Sequence, residues 1–306
     1  MAEYLGLAYY AETPVVIWNV QRTGPSTGLP TRTSQGDLTQ AYFNSHGDKD
    51  FIILLPGSVN ECFEFGWRAF DIAERIQTPV FVLSDLDLGM NQWMTPEFVY
   101  PDSAMDRGKI LWEEDLKKIL EERQGDWGRY LDIDGDGIPY RTVVGNTHPR
   151  SAYFTRGTGH DEYGKYSEEG DIWERGMERI KKKFETAKDF LPKPVTTECK
   201  NARFAIISMG SADPAVMEAI DQLKAQGVGA DYMRIKAIPF HDEVRAFIEK
   251  HDRVYVVETN RDGQLRQLLT IAFPELAVRL RKAAHLDGLP LTAQWVRETI
   301  MNQEVK

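Results

Sequence analysis

The sequence predicts an α/β protein with two open, mostly parallel sheets. Three observations support this class: short β-branched runs alternate with helical periodicity at the start of the chain, a long aperiodic stretch follows, and a second alternating series begins near residue 195. Such alternation favours βαβ units with parallel strands. A length of 306 residues also allows about two domains, at roughly 150 residues each.

The first alternating series predicts strands at residues 15–20, 51–56 and 80–84. A helix-like stretch begins at Gln35. Ser58 precedes an apolar 3.6-residue period over residues 59–76, which predicts an N-capped amphipathic helix packed on the sheet.

Residues 89–170 lack a regular period, apart from one helix predicted around residues 110–122. Long irregular stretches are usually lids or binding loops. A charged helix over residues 168–190 then leads into residues 191–201, whose prolines and threonines predict an interdomain linker with the boundary near residue 195.

The second series predicts a compact open sheet of about 110 residues. Its strands are expected at residues 204–209, 231–235 and 254–258, and its helices at residues 214–226, at 241–250 and from Gly263 onwards.

The composition narrows the function classes. The net charge of −10, without a basic stripe, disfavours nucleic-acid binding. The longest apolar runs are too short for a transmembrane helix, and the N-terminus does not resemble a secretory signal, so we expect a cytoplasmic protein with no membrane contact. The two cysteines cannot form a disulfide framework, and a cubane iron–sulfur cluster needs more thiolates than this chain has.

The most informative segment is the loop over residues 19–38, which follows the first strand. Ligands of open parallel sheets bind beyond the carboxyl ends of strands, and this loop is rich in Gly, Pro, Thr and Ser around Arg22 and Arg32. Arg22 lies at the strand end, where a guanidinium can hold a carboxylate through two parallel bonds. The same residue could instead brace the loop, and composition alone does not decide between these roles.

Three other segments have both a functional and a structural interpretation. Residues 132–137 match the start of a calcium loop, but Val143 stands where the loop needs Glu, which favours an acidic turn. Arg156 and His160 lie in a glycine-rich loop that matches no standard zinc spacing and is predicted to be a structural turn or an active-site flap. The turn at 258–264, with Asn260, Arg261 and Gly263, either receives an anion at a helix N-terminus or caps the helix between domains.

Two common nucleotide-binding signatures are missing from the sequence. It contains no GxxxxGK[ST] or GxGxxG motif, and Cys62 falls on an apolar helical face. No metal site is predicted in this chain.

Six motifs, taken together and in this order, resemble the α subunits of 2-oxoacid:ferredoxin oxidoreductases: QRTGPSTGLPTRTSQGDL, PGSVNECFE, TPVFVLSD, GIPYRT, FTRGTGHDEYG and VVETNRDGQLR. The FTRGTGHDEYG loop is most similar to members that act as 2-oxoglutarate synthases. Relatives that use pyruvate or a broad range of 2-oxo acids are the alternative.

The resemblance implies a domain layout. Residues 1–100 would be part of the domain that binds the pyrimidine ring of thiamine diphosphate. Residues 101–195 would form an irregular extension with a flap and a linker helix, and residues 196–306 would form a domain similar to the transketolase C-terminal domain. A partner β subunit would supply the diphosphate and Mg²⁺ site and the iron–sulfur cluster. Family members carry the activating glutamate in a segment that would lie before Met1, so the resemblance implies an N-terminally truncated chain without a catalytic residue of its own and with an incomplete first sheet.

The resemblance also implies a reaction and site residues. A 2-oxo acid would lose carbon dioxide, coenzyme A would take the acyl group, and electrons would pass through the partner's cluster to ferredoxin. By the same resemblance, Arg22 holds the substrate carboxylate and Thr31 lines the pocket, with Gly24, Ser26 and Thr27 as further loop contacts. The alternative from another class is a non-catalytic scaffold that only docks a β subunit, and a stand-alone transketolase-like enzyme is disfavoured because the chain has no matching magnesium motif.

Overall fold

A computed structural model describes residues 1–305 as two β-sheets covered by helices. The first part of the chain contains α1 (Ala2–Tyr10), β1 (Val15–Gln21), α2 (Leu38–Tyr42), β2 (Ile52–Leu54), α3 (Val59–Ile76), β3 (Pro79–Asp85), α4 (Leu86–Met90), α5 (Glu113–Glu122) and α6 (Gly170–Ala187). The remainder contains β4 (Val195–Thr197), β5 (Phe204–Met209), α7 (Asp213–Ala225), β6 (Ala230–Ile235), β7 (Ala237–Ile238), α8 (Asp242–Glu249), β8 (Val254–Glu258), α9 (Gln264–Ala272), β9 (Leu280–Ala284) and α10 (Ala293–Glu304).

The first sheet has the strand order β1-β3-β2-β7. Strands β1, β2 and β3 are parallel, as the sequence predicts, and β7 adds to β2 in the antiparallel direction. All seven residues of β3 are buried, as expected for a parallel strand covered on both faces. The register pairs Gln21 with Asp85, so the carboxyl ends of β1 and β3 lie side by side.

The second sheet has the order β4-β6-β5-β8-β9 and is parallel except for β4. The α/β class with two mostly parallel sheets is therefore confirmed. The predicted linker differs in part from the structure, because Val195–Thr197 form the edge strand β4, which pairs with β6. Strands β7 and β9 were not predicted: β7 has only two residues, and β9 carries two exposed basic residues in its centre.

Helix α3 follows the predicted period and begins after the predicted cap. The Ser58 hydroxyl accepts a hydrogen bond from the Glu61 backbone N–H at 3.1 Å, and Gln77 ends the helix in the left-handed region with φ = +56°. Phe65, Ala69 and Ile72 point into the core. This apolar face anchors the helix on the first sheet.

One hydrophobic core joins the two sheets. Buried side chains of the first sheet, such as Leu54 and Val82, belong to the same cluster as Ile207 and Val256 of the second sheet. A buried ion pair also crosses between the two parts, because both Arg234 Nη atoms donate to the Glu61 carboxylate at 2.6 and 2.8 Å.

The stretch from residue 91 to 169 contains a single α-helix, α5, and forms a small apolar cluster of its own around Leu111, Leu116 and Trp127. Across residues 1–305, no helix has the length and apolar character needed to cross a bilayer.

Candidate functional site

A cavity of about 880 Å³ opens beyond the carboxyl end of β1. One side is formed by the loop that follows the strand, and the other side by the turn between β8 and α9. The lining includes Asn19, Arg22, Gly24, Ser26, Ser34, Asp37, Gln40, Asn260, Arg261 and Gln264. Its position agrees with the general rule for ligand sites in open α/β sheets.

The loop that contains Arg22 is closed by its own hydrogen bonds. The Thr23 N–H donates to the Arg32 carbonyl oxygen at 2.9 Å, and the Thr23 hydroxyl donates to the Thr33 carbonyl oxygen at 2.9 Å. Gly28 has φ = +49°, and a Cβ atom there would lie 2.0 Å from the Thr23 carbonyl oxygen. Only glycine fits such an approach, so the loop conformation is encoded locally.

Gln35 ties this loop to the second sheet. Its backbone N–H donates to the Thr259 carbonyl oxygen at 2.7 Å, and its Oε1 accepts the Thr259 N–H at 3.0 Å. Its Nε2 donates to the Met209 carbonyl oxygen at 2.9 Å, and its own carbonyl accepts from Asn260 Nδ2 at 3.1 Å. Since Gln35 is only 1% exposed, these bonds are shielded from water and fix the geometry of the cavity.

The turn after β8 is a capping turn. The Glu258 carboxylate accepts the Leu265 and Arg266 N–H groups at 2.8 and 3.2 Å, and Asn260 Oδ1 accepts the Gly263 N–H at 2.7 Å. Burial raises the pKa of the Glu258 carboxyl. The amides at the start of α9 are thus already occupied within the chain, which favours the capping interpretation of this turn over the anion-binding one.

The two arginines that line the cavity differ in whether a carboxylate forms an ion pair with them. Arg261 is paired with Asp262 at 2.7 Å. Arg22 is exposed, and among residues 1–305 no carboxylate lies within ion-pair distance of it. Asp37 also lines the cavity, but its carboxylate accepts a hydrogen bond from Asn19 Nδ2 at 3.0 Å. Arg22 therefore remains available to hold an anion.

The structure brings together some of the site residues that the sequence indicates. Arg22, Gly24 and Ser26 share the cavity with Asn260 and Arg261, and the backbone of Gly263 is hydrogen bonded to Asn260. Thr27 and Thr31 are exposed in the same loop but are not among the cavity-lining residues.

Arg156 and His160 lie apart from this cavity. The His160 ring stacks on Tyr130 with the centroids 3.9 Å apart and borders a separate cavity of about 240 Å³. Arg156 Nε donates to the Gly164 carbonyl oxygen at 3.1 Å, and its guanidinium lies over Phe154. Arg156 thus braces its own glycine-rich segment, whereas His160 packs that segment against Tyr130.

The segment at 132–137 is an acidic turn occupied by a lysine. Asp134 and Asp136 bind Lys109 Nζ at 2.6 and 2.8 Å, and Asp132 accepts the Asp136 and Gly137 N–H groups. Within residues 1–305, no three His, Cys, Asp or Glu side chains are grouped so that they could hold a metal ion. Cys62 is half-buried, and burial raises the pKa of its thiol to about 12.

Sequence reasoning missed Gln35, Asn19 and Asp37 as parts of the site. Asn19 and Gln21 are polar residues at the end of a strand, and Gln21 Oε1 accepts the Asp37 N–H at 3.0 Å. The sequence feature that could have predicted Asn19 and Asp37 is the presence of polar residues at the end of an otherwise apolar strand. No local pattern pointed to Gln35, whose partners lie far along the chain.

The fold and the site define an α/β protein that presents a polar, arginine-bearing cavity at the carboxyl edge of a parallel sheet, as ligand-binding subunits of this architecture do. Residues 1–109 match the family model described as "Pyruvate flavodoxin/ferredoxin oxidoreductase, thiamine diP-bdg". The chain is 34% identical over 279 residues to the 2-oxoglutarate synthase subunit KorA of Methanothermobacter thermautotrophicus, with 89% of this chain and 69% of the relative covered. The chain belongs to the family of 2-oxoacid:ferredoxin oxidoreductase α subunits.

Two further relatives support this membership. The α subunit of 2-oxoacid:ferredoxin oxidoreductase 2 from Aeropyrum pernix is 34% identical over 88% of this chain, which spans 41% of that relative. The solved 2-oxoglutarate:ferredoxin oxidoreductase from Magnetococcus marinus, with 2-oxoglutarate, coenzyme A and succinyl-CoA bound, aligns with all of this chain at a TM-score of 0.84 and 28% identity. The chain spans about half of that solved protein's length.

Proposed function

We propose that this chain acts as the α subunit of a thiamine diphosphate-dependent 2-oxoacid:ferredoxin oxidoreductase that converts 2-oxoglutarate and coenzyme A to succinyl-CoA and carbon dioxide and reduces ferredoxin. The observation that carries the proposal is the unpaired Arg22 guanidinium in the cavity at the end of β1. Several relatives are named 2-oxoglutarate synthase, which favours 2-oxoglutarate over pyruvate. A pyruvate-using or broad-range enzyme is the alternative.

The cavity fits the coenzyme in size and in chemistry. Its volume of about 880 Å³ lies in the ordinary range for small-molecule sites. Asn19, Ser34 and Asp37 offer the donors and acceptors that an aminopyrimidine ring needs. When bound, thiamine diphosphate would supply the carbon nucleophile and the electron sink for decarboxylation. We assign the diphosphate, Mg²⁺ and the iron–sulfur cluster to a partner β subunit.

In this proposal Arg22 positions the substrate. Its planar guanidinium can donate two parallel hydrogen bonds to a carboxylate, which fixes the direction of the 2-oxo group. Because a cation beside the carboxylate stabilises the bound substrate at least as much as the transition state in which carbon dioxide leaves, the contact contributes mainly to binding and orientation. The loop hydrogen bonds of Thr23 and the Gln35 bridge hold Arg22 in place. Thr31 does not line the cavity, so the proposal that it is a second substrate contact rests on the family resemblance alone.

The test is an Arg22→Ala variant assayed in the complex of complete α and β subunits, with 2-oxoglutarate, coenzyme A and ferredoxin. Removing a charge-assisted pair should raise the KM for 2-oxoglutarate about 10- to 100-fold, with a smaller effect on kcat. Arg32→Ala is the matched control, because Arg32 is an exposed arginine of the same loop that does not line the cavity. An unchanged KM in Arg22→Ala, or an equal rise in Arg32→Ala, would refute the proposed role.

Two comparisons separate the alternatives. If kcat/KM is higher for pyruvate than for 2-oxoglutarate, the substrate assignment is wrong while the reaction class stands. If the chain binds the β subunit but the complex of complete α and β subunits shows no thiamine-dependent turnover, the scaffold hypothesis replaces the enzymatic one.

A further inference from the structure

An exposed apolar arm, residues 91–101, follows helix α4. The arm contains neither helix nor strand, and every one of its residues is exposed. It has a single charged residue, Glu97, in a chain of which 27% of the residues are charged. Depletion of charge together with enrichment in aromatic residues and Met is typical of the core of a protein interface and not of a solvated loop. The large apolar side chains that the arm exposes are Trp93, Met94, Phe98, Val99 and Tyr100.

Contacts with the rest of the chain hold the aromatic rings of the arm in place. Trp93 Nε1 donates to the Asp87 carbonyl oxygen at 2.8 Å. The Phe98 ring stacks on Phe63 of α3 with the centroids 4.6 Å apart, and Tyr100 meets the same Phe63 ring edge-on at 4.9 Å. Because these contacts still leave Trp93 40% and Tyr100 75% exposed, a partner that covers the rings would lose little conformational entropy in ordering them.

The arm lies at the edge of the first sheet where the Arg22 cavity opens. Helix α4 begins directly after Asp85, the last residue of β3, and Asp85 is paired with Gln21 at the carboxyl end of β1. Phe63 lies near the start of α3, which follows the parallel strand β2. The arm therefore runs from the carboxyl end of β3 towards that of β2, on the same edge as the cavity.

Apolar surface connects the cavity to the arm. Val20 lines the cavity and is 45% exposed. A Cβ atom on Gly89 of α4 would lie 3.5 Å from Val20 Cγ1, and Met90, the next residue, is 58% exposed. Val20, Met90 and the arm thus form a surface that begins at the rim of the cavity.

We propose that the β subunit docks on the surface formed by Val20, Met90 and the arm. The inference rests on the proposed function, because a partner that supplies the diphosphate and Mg²⁺ site must face the Arg22 cavity and cover the sheet edge around it. A second copy of this chain on the same surface would compete with the β subunit for the rim of the cavity. A standard interface buries about 800 Å² on each partner, and aromatic residues bury about 150–250 Å² each, so the side chains of the arm can form the core of such an interface.

The test measures the Kd between the complete α subunit and the β subunit by biolayer interferometry. Met94→Asp and Val99→Asp should each weaken binding about tenfold or more, because they place an unpaired charge in an apolar interface. Met94→Leu should retain the wild-type affinity, since it keeps an apolar side chain of similar size. Val278→Asp is the matched control: Val278 is 75% exposed, close to the 79% of Val99, but precedes the amino end of β9. Circular dichroism establishes that each variant is folded.

Hydrogen exchange in a peptide that covers residues 90–101 provides the second measurement. Fast exchange in the complete α subunit alone and slow exchange in its complex with the β subunit would support the proposal. Slow exchange already in the α subunit alone would overturn it, because another part of that subunit would then cover the arm.

Two binding results would also overturn the proposal. One is an unchanged Kd for the β subunit in both Asp variants, and the other is a loss of association between α subunits, seen by sedimentation, in place of the loss of β-subunit binding. Neither measurement requires turnover. A complex that protects the arm but is inactive would contradict the proposed function and not the docking surface.

Discussion

Single charged residues in the interior of this protein are bound by several partners at once. Glu12, with a fully buried side chain and φ = +54°, is contacted by Arg179 and by Lys183 Nζ, the latter at 2.9 Å. Burial acts to raise the pKa of this carboxyl, but the nearby cations outweigh it and hold the pKa at about 2. The residue thereby links α6 to the turn before β1.

Replacing Glu12 with Gln should lower the free energy of unfolding by about 3–5 kcal/mol at pH 7, because it leaves two buried cations without a counter-charge. The wild-type contribution should be fully present above pH 4.5, the ordinary pKa of Glu, and decline as the pH falls towards 2, since the folded pKa is the lower one. Urea unfolding at pH 7 and pH 3 measures both effects. Glu298→Gln is the control: this half-exposed substitution should change the free energy of unfolding little. A Glu12→Gln protein as stable as wild type would contradict the predicted role of Glu12.

Secondary-structure elements follow local signals wherever those signals are complete. Helix α3 has an N-cap, an apolar face and a left-handed C-terminal residue, and it spans the predicted residues. Helix α2 is only five residues long; no side-chain bond caps it at Asp37, and it ends at Phe43. Capping alone does not set helix length, because α6 spans 18 residues without a side-chain N-cap bond and α4 spans five residues with one.

Ser58→Ala should lower the free energy of unfolding by about 1 kcal/mol, since the Glu61 N–H loses its side-chain acceptor. Ser58→Asp should retain most of the stability, because a carboxylate accepts the same bond and interacts favourably with the helix dipole. Chemical denaturation of the wild type, Ser58→Ala and Ser58→Asp measures the three free energies of unfolding. Equal destabilisation by Ala and Asp would show that the cap bond is not the stabilising contact.

At the scale of the whole molecule, the two sheets are joined by polar bridges as well as by the shared core. Gln35 connects the loop after β1 to the ends of β5 and β8, and Arg234 of β6 binds Glu61 of α3. The pKa of the Glu61 carboxyl is about 2: burial acts to raise it, but the hydrogen bonds and charge of Arg234 prevail. These bridges determine the relative position of the two walls of the Arg22 cavity.

Gln35→Ala should lower the free energy of unfolding by about 1–3 kcal/mol for each group left unpaired, and it should loosen the cavity. Amide hydrogen exchange should accelerate in peptides that cover residues 22–37 and 258–264 and remain unchanged in α10. Gln294→Ala, an exposed glutamine on α10, serves as the control. Unaltered exchange in both peptides would mean that the apolar core alone holds the walls together.

The sequence by itself determined the α/β class, the parallel strands, the extent of α3 and the position of Arg22 after β1, because these depend on local periodicity, caps and the direction of one strand. Only the tertiary structure decided that Gln35 meets Thr259, that β7 returns to the first sheet, and that Glu12 gathers Arg179 and Lys183. Those contacts join residues more than a hundred positions apart, and no local pattern specifies them. They form because the packed core brings the segments together, and burial then favours hydrogen-bond partners for the polar groups it encloses.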